Sequence, residues 1–459
     1  MTKQIEVTSP YDGRTLGEVP SHDAEHVQRE IGIAAAALRG GPRVEHERAE
    51  VLERAVVLLA ERAEQFARSI CDEAGKPITI ARGEVERAQD TLRYAAIEAR
   101  TMAGEVVPMR STAAGAGTFG VTLRRPVGVV AAITPFNFPL NLVCHKLAPA
   151  IAAGCPVVHK PASATPLTSV LLHELLRDAG QPEDQLRLVT GGGREVGDAL
   201  VVDPRIRHVS FTGSSEVGWQ LGKRAHRARV SLELGNSTPL VAFADADLDA
   251  VVAAASKFGY AYAGQSCIAV QRLLVERSVY DEVVERMAAA VREVAFGDPA
   301  DEDVVSGPVI DDGARDEVLG KVRAATDAGA RLVAGGDHDG NVIEPVLLAD
   351  VDPALDVSRT ELFGPGVVMT PFDDEAHAIE LANGTPYGLQ AGVFTRDVGR
   401  ALRLAESLEF GGVTVNVPPT FRTDQMPYGG TKESGNTKEG PRWAVRELTE
   451  ERLVLIGRD

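Results

Sequence analysis

From residue 24 to about 105, apolar positions recur every three or four residues, as in AEVLERAVVLLAERAEQFARSI at 49–70. This periodicity predicts a run of amphipathic helices that pack as a layer. Near residue 119 the texture changes, because FGVTLRRP alternates polar with apolar positions and VGVVAAI is continuously apolar. That is the pattern of a hairpin feeding a strand buried on both faces. Beyond it the pattern predicts helices at 139–153, 166–179, 193–202 and 215–227, interleaved with strands at 157–160, 186–190, 208–213 and 230–234. Strand and helix in alternation indicate a parallel α/β sheet of the nucleotide-binding kind. Between 241 and about 427, short apolar runs (LVAF, RLLVE, GVVMT, AGVFT, GGVTVN) again alternate with helical segments, predicting a second α/β region. The chain closes on VRELTEERLVLIGRD, whose alternation predicts a strand pairing with the early hairpin or with another subunit.

Composition narrows the function classes. The 459 residues exceed one ordinary core, and the usual domain size suggests roughly two or three domains. Lys+Arg at 48 against Asp+Glu at 66 leaves a net charge of −18, which argues against nucleic-acid phosphates or acidic lipid headgroups as partners. Four cysteines, Cys71, Cys144, Cys155 and Cys267, lie far apart without a CxxC pair, so neither a disulfide scaffold nor a zinc site is expected. The ten histidines form no ligand cluster with acidic residues, and no metal is expected. No basic leader followed by an apolar stretch opens the chain, and no apolar run of about 18 residues follows, so a cytoplasmic location is expected.

Candidate chemistry gathers at predicted strand ends. GQSCIA sets Cys267 among small residues that would let a substrate approach its sulfur. A lone cysteine is more often a small buried hydrophobe, and its neighbourhood changes that reading. Glu233 in LELGN and Asn137 in TPFNFP each stand at the carboxyl end of a predicted strand, where ligands collect in open α/β sheets. A thiol, a carboxylate and a carboxamide could therefore converge. In FTGSSEVG, Gly213 and Ser214 would open a helix whose unpaired N–H groups can receive a phosphate, although the segment is no GxGxxG match. The glycine cluster GGGREVG at 191–197 is ordinary turn chemistry by itself.

TPFNFPL, HKPASATPL, FTGSSEVG, LELGNSTP, GQSCIA, ELFGP, PYGLQAGVFT and PYGGTKESG occur in an order and spacing that resembles the aldehyde dehydrogenase superfamily over essentially the whole chain. The resemblance implies an α/β fold: a Rossmann-related NAD(P)-binding domain (1–110 and 128–233), an α/β catalytic domain (234–429) and a small β oligomerisation element (111–127 and 443–459). It also implies a homodimer or homotetramer. By the same resemblance, Cys267 attacks an aldehyde to give a thiohemiacetal, and Asn137 with the Cys267 backbone N–H receives the oxyanion. Glu233 then serves as base for the water that hydrolyses the thioester. Lys160 would bind the adenosine ribose, Gly213 and Ser214 the phosphates, and Glu361 with Phe363 the nicotinamide ribose. Ser163 is neutral where NAD-preferring relatives often carry an acid, so use of either NAD or NADP is expected.

Two departures bear on the aldehyde. Phe136 stands where many relatives that oxidise apolar aldehydes carry Trp, and aromatic residues are only 5% of the chain, so a small or polar substrate is expected. Arg422, in the loop resembling the family's substrate entrance, puts a cation where an anionic tail could sit, with His145 assisting. The resemblance is to the branch holding lactaldehyde, non-phosphorylating glyceraldehyde-3-phosphate and phosphonoacetaldehyde dehydrogenases. The expected substrate is thus a short aldehyde bearing phosphate, phosphonate or carboxylate. The last motif departs further, with Asn436, Thr437 and Lys438 where relatives commonly have Gly or a hydrophobe followed by Gly-Arg, a change expected to alter cofactor-domain or subunit contacts. The alternatives are a coenzyme-A-acylating semialdehyde dehydrogenase, against which Glu233 weighs, a cysteine acyl transferase or esterase, and a catalytically silent binding protein on this fold.

Overall fold

The computed structural model describes residues 3–457. The predicted alternation from residue 129 onward forms a five-stranded, wholly parallel sheet in the spatial order Leu186–Leu188, Val157–Lys160, Val129–Ile133, Ile206–Thr212, Arg229–Glu233. Numbered along the chain, this is 3-2-1-4-5, a doubly wound order that reverses between Val129–Ile133 and Ile206–Thr212. At such a reversal the two crossover connections diverge to opposite faces and leave a crevice beyond the strands' carboxyl ends. Val129, Ala131, Val158 and Val209 pack on one face against Val27, Ile31, Leu200 and Leu221. Val130 and Val157 face the other side, against a helical layer containing Leu52, Leu59, Phe66, Ile70, Leu92 and Leu147.

The predicted helical run is four helices, Ala24–Arg39, Glu45–Glu61, Ala63–Ala74 and Ile78–Thr101, the middle pair separated only at Arg62. It is not the single layer expected: Ala24–Arg39, carrying Val27 and Ile31, packs on the first face of the sheet and the other three on the second. Besides apolar burial, those three supply carboxylates to helices that follow sheet strands. Glu84 accepts from the Leu140 and Asn141 N–H groups, both at 3.0 Å, at the start of the helix Asn141–Ala153. Glu73 accepts from Leu167 and Thr168 N–H at 2.7 and 2.9 Å, at the start of Leu167–Asp178. Each carboxylate satisfies two otherwise orphaned donors and meets the positive end of the helix dipole. Glu84 is itself paired with the buried ammonium of Lys76. The loop that precedes Asn141, carrying Asn137, is held in place this way.

The second α/β region forms a seven-stranded sheet ordered Arg331–Ala334, Val346–Ala349, Gly366–Phe372, Val270–Glu276, Thr238–Ala242, Gln390–Phe394, Gly412–Val415, in which only Arg331–Ala334 is antiparallel. The alternating stretch near 119 forms the expected hairpin: Thr118–Pro126 pairs antiparallel with Val106–Val107, and its other edge takes the closing strand Thr449–Gly457. The turn at Gly128 (φ 132°) then sends the chain into the five-stranded sheet. Two expectations need correction. The closing segment begins as a helix, Pro441–Glu447, before it extends. At 193–202 the helix opens with a wide π-type turn, Gly193–Gly197, before its α-helical part Asp198–Val202.

Candidate active site

Cys267 sits in a loop under backbone constraint. After the helix Leu248–Tyr260, three consecutive residues take left-handed conformations: Tyr262 (φ 54°), Ala263 (φ 51°) and Gly264 (φ 66°). A Cβ at Gly264 would lie 2.1 Å from the Gly364 carbonyl oxygen, so the third position requires glycine. Left-handed backbone costs a non-glycine residue about 1–2 kcal/mol and persists only where the surroundings over-determine it. Here Tyr262 donates its hydroxyl to Ala74 O (3.1 Å) and its N–H to Val305 O (2.9 Å). Gln265, fully buried, spans the loop from Pro308 O to Ile310 N–H.

The loop presents Cys267 to two cavities at once. One, of 460 Å³, occupies the crevice at the strand-order reversal and is lined by Phe136, Asn137, Gly213, Ser214, Glu233, Glu361 and Phe363. The other, of 640 Å³, is lined by Arg87, Phe138, Asn141, Ile268, Arg422 and Tyr428. Cys267 and Leu142 line both. The Asn137 carboxamide donates one N–H to Gln265 O at 3.0 Å and has its second to spare, and the Cys267 backbone N–H has no partner among the described residues. Glu233 is buried with both carboxylate oxygens unpartnered. Burial, and next the charge of Glu439, push its carboxyl up to about 8, against the pull of Arg422 and Lys146. Burial and the Glu233 charge likewise push the Cys267 thiol well above its ordinary range.

Asn436 accounts for part of the departure in the last motif. Its side chain accepts from Leu232 N–H (2.8 Å) and donates to Val230 O (3.1 Å), covering the outer edge of the strand that ends in Glu233. The residue thus acts as a one-residue extension of the sheet beside the carboxylate.

At the smaller cavity, Ser214 caps the ten-residue helix Ser215–Arg224 without a side-chain bond, so its leading N–H groups are open. Gly235 lets Glu361 close in, since a Cβ there would lie 2.4 Å from its Oε2. Burial pushes the Glu361 carboxyl up to about 7. Lys160 is buried, donates to Pro161 O at 3.1 Å, and is pulled down to about 8 by burial. Ser163 is exposed, with its hydroxyl bonded to Gly191 O at 3.0 Å. Neither Lys160 nor Ser163 lines the cavity wall.

The larger cavity corrects two expectations. Phe136, expected beside the aldehyde, lines the other cavity edge-on to Phe363, with ring centroids 5.8 Å apart. His145 is buried behind Arg422, 3.2 Å from its Nη2, and does not line the cavity. Burial, reinforced by Arg422, Arg87 and Lys146, holds its imidazole far below the ordinary range and therefore neutral, so it buttresses the guanidinium and adds no charge. Arg422 donates to Glu439 Oε2 at 3.0 Å and stacks 3.8 Å over the Tyr428 ring. Burial pulls against its charge, and Glu439, Tyr428 and Glu233 together outweigh it.

Four residues with no assigned role complete the cluster: Arg87, Lys146, Tyr428 and Glu439. Lys146 reaches Glu439 Oε1 at 3.4 Å, and Tyr428 Oη lies 3.0 Å from Cys267 Sγ. Arg87 lines the cavity, and its guanidinium has no hydrogen-bond or ion-pair partner among the described residues. On a helix crowded with Arg and Glu, nothing in the sequence separates Arg87 from a solvated charge. Tyr428 lies within the PYGG motif, which was its only signal.

The profile of the aldehyde dehydrogenase family matches residues 1–454. A 3-sulfolactaldehyde dehydrogenase of Priestia aryabhattai is 40% identical over 456 residues, covering 99% of this chain and 95% of that protein. Among solved structures, a glyceraldehyde-3-phosphate dehydrogenase from Methanocaldococcus jannaschii, complexed with NADP, superposes with a TM-score of 0.96 at 36% identity over 100% of both chains. An aldehyde dehydrogenase from Physcomitrella patens, in complex with the reaction product succinate, also gives 0.96, at 38% identity over 99% of this chain and 95% of that one. The chain belongs to the aldehyde dehydrogenase family. It is an NAD(P)-dependent oxidoreductase of aldehydes.

Proposed function

We propose that the protein oxidises a short aldehyde carrying an anionic group (sulfonate, phosphate, phosphonate or carboxylate) to the carboxylic acid, with NAD or NADP. The observation that carries this reading is Cys267 at the junction of two cavities, the larger lined by two guanidinium groups, Arg87 and Arg422. The Arg87 guanidinium has no partner among the described residues, and burial together with the Arg422 charge disfavours its charged form, so an incoming anion would relieve both costs. Further support comes from the relatives, since 3-sulfolactaldehyde, glyceraldehyde-3-phosphate and succinate each carry an anionic group.

The smaller cavity suits a dinucleotide on the groups that line it: the open N–H donors of the helix N-terminus at Ser214 and the accepting carboxylate of Glu361, admitted past Gly235. Lys160, Gly213 and Phe363 would complete that site, and the absence of an acid at Ser163 leaves room for a 2′-phosphate. A bound nicotinamide would supply the hydride acceptor. The chain's own part begins when the Cys267 thiolate bonds to the carbonyl carbon and the carbonyl pair moves onto oxygen. The spare Asn137 N–H and the Cys267 backbone N–H would meet that oxyanion, a donor of this kind being worth about 10²–10³ in rate. After oxidation a thioester remains. Glu233 would take a proton from water, the water oxygen would bond to the acyl carbon, and the C–S bond would break to release the acid.

The resemblance-based division into cofactor region (1–110, 128–233), catalytic region (234–429) and oligomerisation element (111–127, 443–459) belongs to the same proposal. The outer edge of Thr449–Gly457 is unpaired among the described residues and the strand exposes Leu453, Leu455 and Ile456, which supports a homodimer or homotetramer. The test of the reading is steady-state kinetics with both nucleotides on a panel of anionic and neutral short aldehydes. The expected outcome is a kcat/KM at least about tenfold higher for the anionic members; a preference for neutral aldehydes overturns it.

A further inference from the structure

Tyr428 is buried, its phenolic oxygen lies 3.0 Å from Cys267 Sγ, and that hydroxyl has no other hydrogen-bond partner among the described residues. No other hydroxyl or N–H of a described side chain hydrogen-bonds the sulfur. Arg422 stacks 3.8 Å over the phenol ring and is anchored in turn by Glu439 at 3.0 Å. Three residues in line, their side chains almost wholly out of solvent, therefore hold one O–H against one sulfur.

A thiol and a phenol in contact can each donate. Once the sulfur has lost its proton, the only hydrogen left between them is the phenol's. Burial, and next the nearby Cys267 and Glu233 charges, keep Tyr428 protonated far beyond neutral pH, so at neutral pH it is a donor toward a thiolate. The sulfur needs such a donor. Burial opposes its ionisation, Glu233 at the end of its strand and Glu361 from the ELFGP loop oppose it further, and Tyr428 and Arg422 favour it.

We propose that Tyr428 is a further catalytic residue, its hydroxyl donating the hydrogen bond that stabilises the Cys267 thiolate, with Arg422 and Glu439 as positioning residues for the ring. This rests on Cys267 being the nucleophile. Arg422 then faces two ways, toward the substrate's anion and, through the ring, toward the sulfur.

Alkylation of the free full-length enzyme by iodoacetamide tests this without aldehyde or nucleotide: an S–C bond forms, iodide leaves, and only the thiolate reacts. Cys71, Cys144 and Cys155 are buried, and Cys267→Ser supplies the blank. Tyr428→Phe keeps the ring and its stacking and removes the donor. Its rate profile across about pH 6–11 is expected to move upward by about one unit, with alkylation at pH 7 about tenfold slower. The plateau at high pH should be retained or rise, because a thiolate of higher pKa is at least as nucleophilic. Arg422→Lys, which removes the planar stacking, should move the midpoint the same way by less, and covers the case of a Phe variant that does not fold. A purely structural role would lower the plateau or the melting temperature without moving the midpoint. An unmoved or downward-moved midpoint in the folded variants overturns the assignment of Tyr428. Full aldehyde turnover by Cys267→Ser would instead overturn the nucleophile itself, so the two failures are distinguishable.

Discussion

The two cavities that meet at Cys267 are built in opposite ways. The smaller one is walled on one side by the carboxyl ends of neighbouring strands of one sheet and the turns leaving them, Thr134–Asn137 after Val129–Ile133, Gly213–Ser214 after Ile206–Thr212, and Glu233 at the end of Arg229–Glu233, and closed on the other by Glu361 and Phe363 of the second α/β region. Its donors are largely backbone and helix terminus, which suit a ligand shared by many enzymes. The larger cavity draws side chains from distant parts of the chain, Arg87 from the helical layer, Phe138 and Asn141 from the loop and helix after the first sheet strand, Arg422 and Tyr428 from the C-terminal loop. Its character is set by individual charges. One cavity is a property of topology and the other of a few side chains, so substitutions should separate them.

The largest separation is expected at the sulfur they share. Cys267→Ser should lower kcat by more than about 10³-fold with both ligands still bound, because an alcohol is a far weaker nucleophile than a thiolate. Nucleotide binding measured by fluorescence should be unchanged. Next comes Glu233→Gln, for which a stoichiometric burst of NAD(P)H should survive while steady-state turnover falls about 10²–10⁴-fold. In the unmodified enzyme the base acts when deprotonated. With its carboxyl pushed up to about 8, the hydrolysis step should accelerate as pH rises through neutrality and level off above about 8. A flat profile for that step from pH 6 to about 9 would remove Glu233 from the role.

Arg87→Ala should raise KM for an anionic aldehyde about 10- to 100-fold, the worth of a hydrogen bond to a charged group, and change KM for propanal less than about threefold. Arg422→Ala should act in the same direction but less cleanly, since it leaves Glu439 without one of its cations. Equal effects on propanal and the anionic aldehyde would take both guanidinium groups out of substrate recognition. The smallest effect is expected at Ser163→Glu, which should lower kcat/KM for NADP about tenfold relative to NAD by placing a like charge near a 2′-phosphate.

Both the chain's legibility and its limits follow from the same contrast. Cys267, Glu233 and Asn137 could be picked out because each stands at a strand end or in a tight turn where local pattern carries meaning, and the structure brings all three to one crevice. Phe136 could not be placed: it and Phe138 are two residues apart in one loop, yet line opposite cavities. His145 read as a ligand because its position on the helix was visible and the Arg422 in front of it was not. The Asn436 departure became intelligible only once its side chain was found bonded to Leu232 and Val230 across more than 200 residues.

The sequence by itself determined the alternation of strands and helices, the apolar faces they bury, and the thiol, carboxylate and carboxamide at the strand ends. Those are matters of period and of residues adjacent along the chain. Tertiary structure alone decided that the strand from 118 joins the closing strand, that Glu73 and Glu84 cap helices that follow sheet strands, and that Arg87, Tyr428 and Arg422 line one cavity with Cys267. Such contacts join residues tens to hundreds of positions apart, and their strength comes from burial, which raises the worth of every charge and hydrogen bond and is invisible until the chain has folded.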